Sequence, residues 1–155
     1  MPFLISDSDY HYHPLYRFYG WEHAGEFPPV RECACKNIGE CYLRLLSSWS
    51  IDTCSERFRP LWSEENPTAG QCTITAALVH EFFGGEVLHL PLPEGGFHSF
   101  NRLNGIIIDL ACEQFGKDAL LDFAHAAPAD PAALLASPDK LARYELLKKN
   151  FLAGV

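Results

Sequence analysis

The chain has 155 residues, with 12 Lys and Arg against 20 Asp and Glu, a formal charge of −8 and six cysteines. With 48% hydrophobic residues it can bury one sizeable core, so general disorder is excluded and a single domain over 1–155 is expected. The acidic balance, with no basic run longer than Lys148-Lys149, argues against a nucleic-acid backbone or an anionic membrane as partner, because both recruit clustered Lys and Arg.

No segment approaches the roughly 18 consecutive apolar residues that span a bilayer. The start, Met1-Pro2-Phe3-Leu4-Ile5-Ser6-Asp7, lacks the basic and long apolar regions of a signal peptide, so a cytoplasmic location is expected. In a reducing compartment, Cys33, Cys35, Cys41, Cys54, Cys72 and Cys112 are free thiols, metal ligands or a nucleophile rather than a disulfide framework.

In chain order, residues 1–36 are rich in aromatic residues, His and Pro without a sustained period, and read as an irregular arm. Ile38, Cys41, Tyr42, Leu45, Leu46 and Trp49 recur at helical spacing, predicting an amphipathic helix over 38–49 with Cys41 on its buried stripe. Residues 50–70 form a long loop with one helical turn, of the kind that usually carries function. Residues 72–83 are apolar nearly all round and stop at Gly84-Gly85, predicting a central buried helix.

Residues 86–92 alternate as a strand. Residues 97–103, Asn104-Gly105 and 106–110 form a hairpin with a strong two-residue turn signal. Beyond Gly116, an Ala- and Leu-rich stretch broken by Pro128, Pro131 and Pro138 gives short helices, the last over 139–151. The expected organisation is an arm over 1–36, a core over 37–116 and C-terminal helices over 117–155. The fold class is α+β, with the Cys-bearing helix packed on a small antiparallel sheet.

Cys72 opens the buried helix, where unpaired N–H groups and the positive dipole end stabilise a thiolate and could bind a developing oxyanion. A thiolate nucleophile needs a base, and the base needs an orienting group. If Asn104-Gly105 is the whole turn, residues whose numbers sum to 209 face one another. His98 and Asp109 then become diagonal neighbours on one face, and Ser99, Asn101 and Leu103 look into the core from the other. Asp109 could orient His98 and His98 could serve Cys72, making a Cys-His-Asp triad that attacks an amide, ester or thioester.

The motifs Asn66-Pro67-Thr68-Ala69-Gly70-Gln71-Cys72, Thr75-Ala76, Gly84-Gly85-Glu86, Phe97-His98-Ser99-Phe100-Asn101-Arg102-Leu103, Asp109-Leu110, Gln114-Phe115 and Arg143-Tyr144-Glu145-Leu146-Leu147 occur in an order that resembles the YunG-like family of small bacterial proteins. That resemblance carries little functional knowledge. The layout of helix-initial Cys, His-bearing strand and Asp-bearing strand is also similar to papain-like and transglutaminase-like thiol enzymes. There Cys72, His98 and Asp109 stand at the nucleophile, base and orienting acid, and Asn66, six residues before Cys72, stands where papain-like enzymes place an oxyanion-stabilising amide. Gln71 either contributes its amide to such a site or fixes the turn.

Other readings stay open. Cys33, Cys35, His11 and His13 could hold zinc, although Cys-x-Cys is not a usual zinc spacing. Cys72, His98 and Asp109 could themselves be metal ligands, or the cleft could bind a peptide or small metabolite without turnover. No cofactor is expected. Cys54 and Cys112 read as structural thiols, His80 as a residue near its helix end, His89 as structurally satisfied, and Tyr42, Trp49 and Trp62 as core or cleft wall.

Overall fold

A computed structural model of the protein describes residues 13–92, 95–115 and 121–153. Four helices and a four-stranded antiparallel sheet make an α+β fold: α1 (Ile38–Leu46), α2 (Cys72–Phe83), β1 (Glu86–Pro91), β2 (Phe97–Leu103), β3 (Ile106–Ile108), β4 (Ala127–Ala129), α3 (Pro131–Leu134) and α4 (Pro138–Ala153), with sheet order β3-β2-β1-β4. Among the described residues, no helix is long and apolar enough to cross a membrane.

Local sequence accounts for most element ends. Asn37 caps α1 by accepting the Glu40 N–H at 2.8 Å, and the Glu40 carboxylate returns to the Lys36 N–H at 2.9 Å. The helix stops at Leu46, three residues short of the expected end. Ser48 and Trp49 still donate their N–H groups to Leu45, so Trp49 reaches the core through a tightened turn. Ser137 caps α4 by accepting the Lys140 N–H at 3.1 Å, with Pro138 at the first helical position.

β4 is a correction to the expected division of the chain. The C-terminal region does not consist of helices alone: it returns Ala127–Ala129 to the free edge of β1, with Leu88 opposite Pro128. A three-residue segment containing proline carries no alternating pattern, and proline is tolerated there because β4 is an edge strand.

The hairpin has the expected register, Asn101 opposite Ile108 and Leu103 opposite Ile106, around a turn in which Asn104 and Gly105 both have positive φ. Leu103 and Ile108 join the main core with Ile74, Leu78 and Phe82 of α2 and Leu147 and Phe151 of α4. On the same face, Asn101 donates to the Ala76 carbonyl of α2 at 3.0 Å. The opposite face carries a smaller cluster of Leu88, Leu90 and Phe100 against Phe123.

The described part of the arm is irregular apart from a short 3-10 turn, and it is tied down at several points. Gly39 and Ile38 donate to the Ala24 and Glu26 carbonyls, and Val30 donates to Phe82. Tyr19 forms a two-hydrogen-bond bridge with Asp109, at 3.0 and 3.2 Å.

Candidate active site

Three segments meet at Cys72. The first is the N-terminus of α2. Gln71 stands at the cap position and its side chain makes no cap hydrogen bond to the N–H groups of the first turn. The Gln71 side chain is fully buried and committed elsewhere: its Oε1 accepts from Thr53 Oγ1 at 2.9 Å and its Nε2 donates to the Ser50 carbonyl at 3.0 Å. Of its two expected roles, the structure shows the structural one, fixing the turn.

The second segment is the open end of β2. Leu103 and Ile106 flank a two-residue turn, so residues 103, 101, 99 and 97 direct their N–H and C=O groups toward β3. β3 ends at Ile108, opposite Asn101, which leaves the corresponding groups of Ser99 and Phe97 beyond the end of that strand. Cys72 lies against this edge, with Sγ 4.0 Å from the Phe97 carbonyl oxygen and 3.9 Å from Thr73 Oγ1.

The third segment follows β3. Asp109 and His98 are both fully buried, and His98 Nε2 donates to Asp109 Oδ2 at 2.6 Å. The other carboxylate oxygen accepts the Ala111 N–H at 3.0 Å, and the bridge to Tyr19 holds the Asp109 backbone. The arm, outside every sequence motif singled out for the site, therefore helps to place Asp109.

Gln114, in the 3-10 turn Cys112–Phe115, completes the site. Its Oε1 accepts the Gly70 N–H at 3.2 Å, which orients the amide so that Nε2 lies 2.8 Å from His98 Nδ1. The His98 ring, the Gln114 amide and the Ser99 backbone N–H all favour the ionised form of the Cys72 thiol. Sequence reasoning found Gln114 only as part of a family motif. Five residues past the orienting acid, in a turn with no periodicity, it gave no other signal.

The electrostatics follow from this packing. Burial alone would raise the Cys72 thiol, but the His98 ring first, then Gln114 and the Ser99 N–H, outweigh it and bring the thiol down to about 7. Burial alone would lower His98. The Asp109 carboxylate outweighs that and, with the sulfur, pushes the imidazole up to about 10. Both shifts act in the direction of thiolate beside imidazolium, whereas the Gln114 donor at Nδ1 acts in favour of the neutral ring.

Cys72 opens onto a cavity of about 310 Å³ walled by Phe58, Leu92, Phe97, Phe115, Arg57 and Lys140. A larger cavity, about 630 Å³, lies beyond the Cys112–Phe115 turn and is lined by Arg17, Tyr42, Asn66, Thr68 and Glu113. Asn66 belongs to that second cavity, and its amide donates to the Leu61 carbonyl at 3.3 Å. The structure does not bring it to Cys72, because Pro67 to Gly70 turn the chain away, with Trp62 donating to the Pro67 carbonyl at 3.0 Å.

Among the described residues, the expected zinc ligands Cys33, Cys35 and His13 are not assembled. His11 lies outside the described residues. The His13 Nδ1 accepts the Leu15 and Tyr16 N–H groups at 3.0 and 2.9 Å, while Cys33, Cys35 and Cys41 interact with one another as thiols. Among the described residues, no group of three His, Cys, Asp or Glu side chains converges as a metal-ligand set, and both ring nitrogens of His98 are engaged by Asp109 and Gln114. His80 contacts the Gly85 carbonyl at the helix end, as expected. His89 differs from expectation: its ring stacks on Phe97 at 4.2 Å and its buried Nδ1 has no hydrogen-bond partner.

The family model described as YunG protein matches residues 37–155. The chain is 31% identical over 107 residues to "Uncharacterized protein YunG" of Bacillus subtilis (strain 168), a match that covers 69% of this chain and 84% of the relative. No solved structure matches, so the papain-like and transglutaminase-like expectation has only the layout of the site behind it. By the extent of the family match and by its identity to this relative, the chain belongs to the YunG family.

Proposed function

We propose that the protein is a cysteine-nucleophile acyl-transfer enzyme, a hydrolase or acyltransferase acting on an amide, ester or thioester. The observation that carries this reading is a fully buried His98 hydrogen-bonded to Asp109 at 2.6 Å on the strand against which the Cys72 thiol lies, with Sγ 4.0 Å from the Phe97 carbonyl oxygen. Cys72 attacks the carbonyl carbon as thiolate. His98 Nδ1, having taken the thiol proton, delivers it to the leaving group. Asp109 keeps the second ring proton on Nε2 and stabilises the imidazolium. The oxyanion falls near the N–H groups of the α2 first turn. Chain order and roles parallel those of papain-like and transglutaminase-like enzymes, which is the finer fold assignment this reading favours.

The cavity at Cys72 is at the small end for ligand sites, so it takes a small acyl group or one side chain of a larger substrate, held against Phe58, Phe97 and Phe115. Incubation with p-nitrophenyl acetate tests the reading. The expected result is a stoichiometric burst of p-nitrophenol with an acetyl group on Cys72 by mass spectrometry, lost in Cys72→Ser and reduced at least 100-fold in His98→Ala. Acylation of Cys72 no faster than of free cysteine, and unaffected by His98→Ala, would overturn it.

A further inference from the structure

Gln114 occupies a position the triad does not require, and its hydrogen bonds cannot all persist while the triad works. The Gly70 N–H needs an acceptor, so Oε1 faces Gly70 and Nε2 faces His98 Nδ1, on the wall of the same cavity that Cys72 lines. A donated hydrogen at His98 Nδ1 requires a lone pair there, which a ring protonated on Nε2 toward Asp109 has only when it is neutral. Proton transfer from the thiol puts a hydrogen on Nδ1, removes that lone pair and creates a thiolate, a stronger acceptor. The two Nε2 hydrogens thus meet different demands in the two states: Nδ1 can accept one only while sulfur keeps its proton, and sulfur is the stronger acceptor once Nδ1 has that proton.

Resting on the function proposed above, we infer that Gln114 is a positioning residue whose anchored amide donates to His98 Nδ1 before proton transfer and to the Cys72 thiolate after it. The atoms balance without any co-reactant: the S–H bond breaks, the Nδ1–H bond forms, and one amide hydrogen bond changes acceptor. Gly70 is the pivot. Its N–H holds Oε1 throughout, and its positive φ and close seat, where an added Cβ would stand 2.6 Å from Cys54 Sγ, leave little freedom at that point. Gln114 is itself 8% exposed, so no bulk water replaces it as donor.

The test compares wild type with Gln114→Met, which keeps the length but removes donor and acceptor, and Gln114→Glu, which keeps the acceptor for Gly70 but carries no donor. Iodoacetamide alkylation of Cys72 is followed against pH, together with the ¹⁵N shifts of the His98 ring. Both variants are expected to move the alkylation midpoint upward and to slow alkylation at pH 7 about tenfold, the loss of one charge-assisted hydrogen bond. In Gln114→Glu the ring is also expected to stay protonated to higher pH. If Gln114→Met fails to fold, Gln114→Glu carries the same prediction with the Gly70 contact intact. A midpoint unchanged in a folded variant overturns the inference. If wild type shows a lowered midpoint that His98→Ala abolishes, that failure leaves the thiol-enzyme reading standing; a wild-type midpoint at the ordinary thiol value overturns both.

Discussion

His98 Nε2 and Asp109 Oδ2 stand 2.6 Å apart in a region closed to solvent, joined across the sheet by a hairpin whose register makes them diagonal neighbours. Breaking a buried charged pair from one side leaves the other charge uncompensated, so His98→Ala is expected to cost about 3–5 kcal/mol. Asp109→Asn keeps the shape but loses the charge that raises the imidazole. It should move the Cys72 alkylation midpoint up and slow alkylation at pH 7 by tenfold or more. Urea unfolding and alkylation kinetics on the two variants check this, and an Asp109→Asn protein as reactive as wild type would remove Asp109 from the site.

The same pair fixes the sign of a pH dependence. His98 is raised from its ordinary value near 6.5 to about 10. Its contribution to stability is therefore fully present below about 6.5 and is lost as pH rises through 10. The stability gap between wild type and Asp109→Asn should be widest near pH 6 and shrink toward pH 10.5. Cys72 runs the opposite way: with its thiol lowered from 9.0 to about 7, its contribution is full above 9 and is lost as pH falls through 7. Wild type against Cys72→Ala should show a gap that narrows from pH 9 to pH 6. Denaturation at four pH values resolves both slopes, and a flat gap in either series contradicts the corresponding shift.

The sequence made this pair legible because a two-residue Asn-Gly turn sets register, and register decides which side chains share a face. The α2 boundaries were legible for a similar reason, since an apolar run ending at Gly84-Gly85 leaves little choice. What sequence could not supply were partners set by tertiary packing. Gln114 reaches His98 from a short irregular turn, Tyr19 reaches Asp109 from an arm with no period, and the three residues of β4 pair only because β1 offers a free edge. Spacing alone does not place Asn66 either: six residues fix no distance to Cys72 until the path of the chain is known, and here it folds into consecutive turns.

Asn66 and Gln71 should therefore behave oppositely to residues of an oxyanion site. Asn66→Ala removes one exposed hydrogen bond to Leu61 and should leave Cys72 alkylation and p-nitrophenyl acetate acylation within about twofold of wild type, with less than about 1 kcal/mol of stability lost. Gln71→Ala removes two hydrogen bonds in the interior, from Thr53 Oγ1 and to the Ser50 carbonyl, and should cost about 1–3 kcal/mol. A large kinetic loss in folded Asn66→Ala would show that this amide does reach the reacting carbonyl.

Gly70 separates backbone geometry from chemistry. Its φ is +69°, and a Cβ there would meet Cys54 Sγ at 2.6 Å and the Ser55 nitrogen at 2.9 Å. Gly70→Ala should cost about 1–3 kcal/mol from the left-handed backbone alone, more with the clash, and should slow Cys72 alkylation because the Gln114 anchor shifts. Gly25 is the control, with nothing within 4 Å of an added Cβ and no positive φ. Gly25→Ala should be neutral or stabilising by up to about 1 kcal/mol and leave reactivity unchanged. Equal effects in thermal melts of the two variants would contradict the close packing at Gly70.

Glu81, near the far end of α2, offers a stability test remote from the chemistry. Its carboxylate accepts from Lys148 at 2.6 Å and from Arg31 and Tyr144, tying α2 to α4 and to the arm. Burial opposes its ionisation, but Lys148, Tyr144 and Arg31 outweigh burial and hold the carboxyl below its ordinary range. A lowered carboxyl contributes stability that is present above about 4.5 and lost as pH falls through its folded value. Glu81→Gln should cost about 1–3 kcal/mol at pH 7 and progressively less toward pH 3. Nine residues along a helix is about 13 Å, so alkylation of Cys72 should be untouched. Urea titrations at pH 7 and pH 3 with a parallel alkylation assay check both halves. A gap that does not close at pH 3 would mean the network acts through packing rather than charge, and a change in Cys72 reactivity would mean that α2 transmits strain from this end to the site.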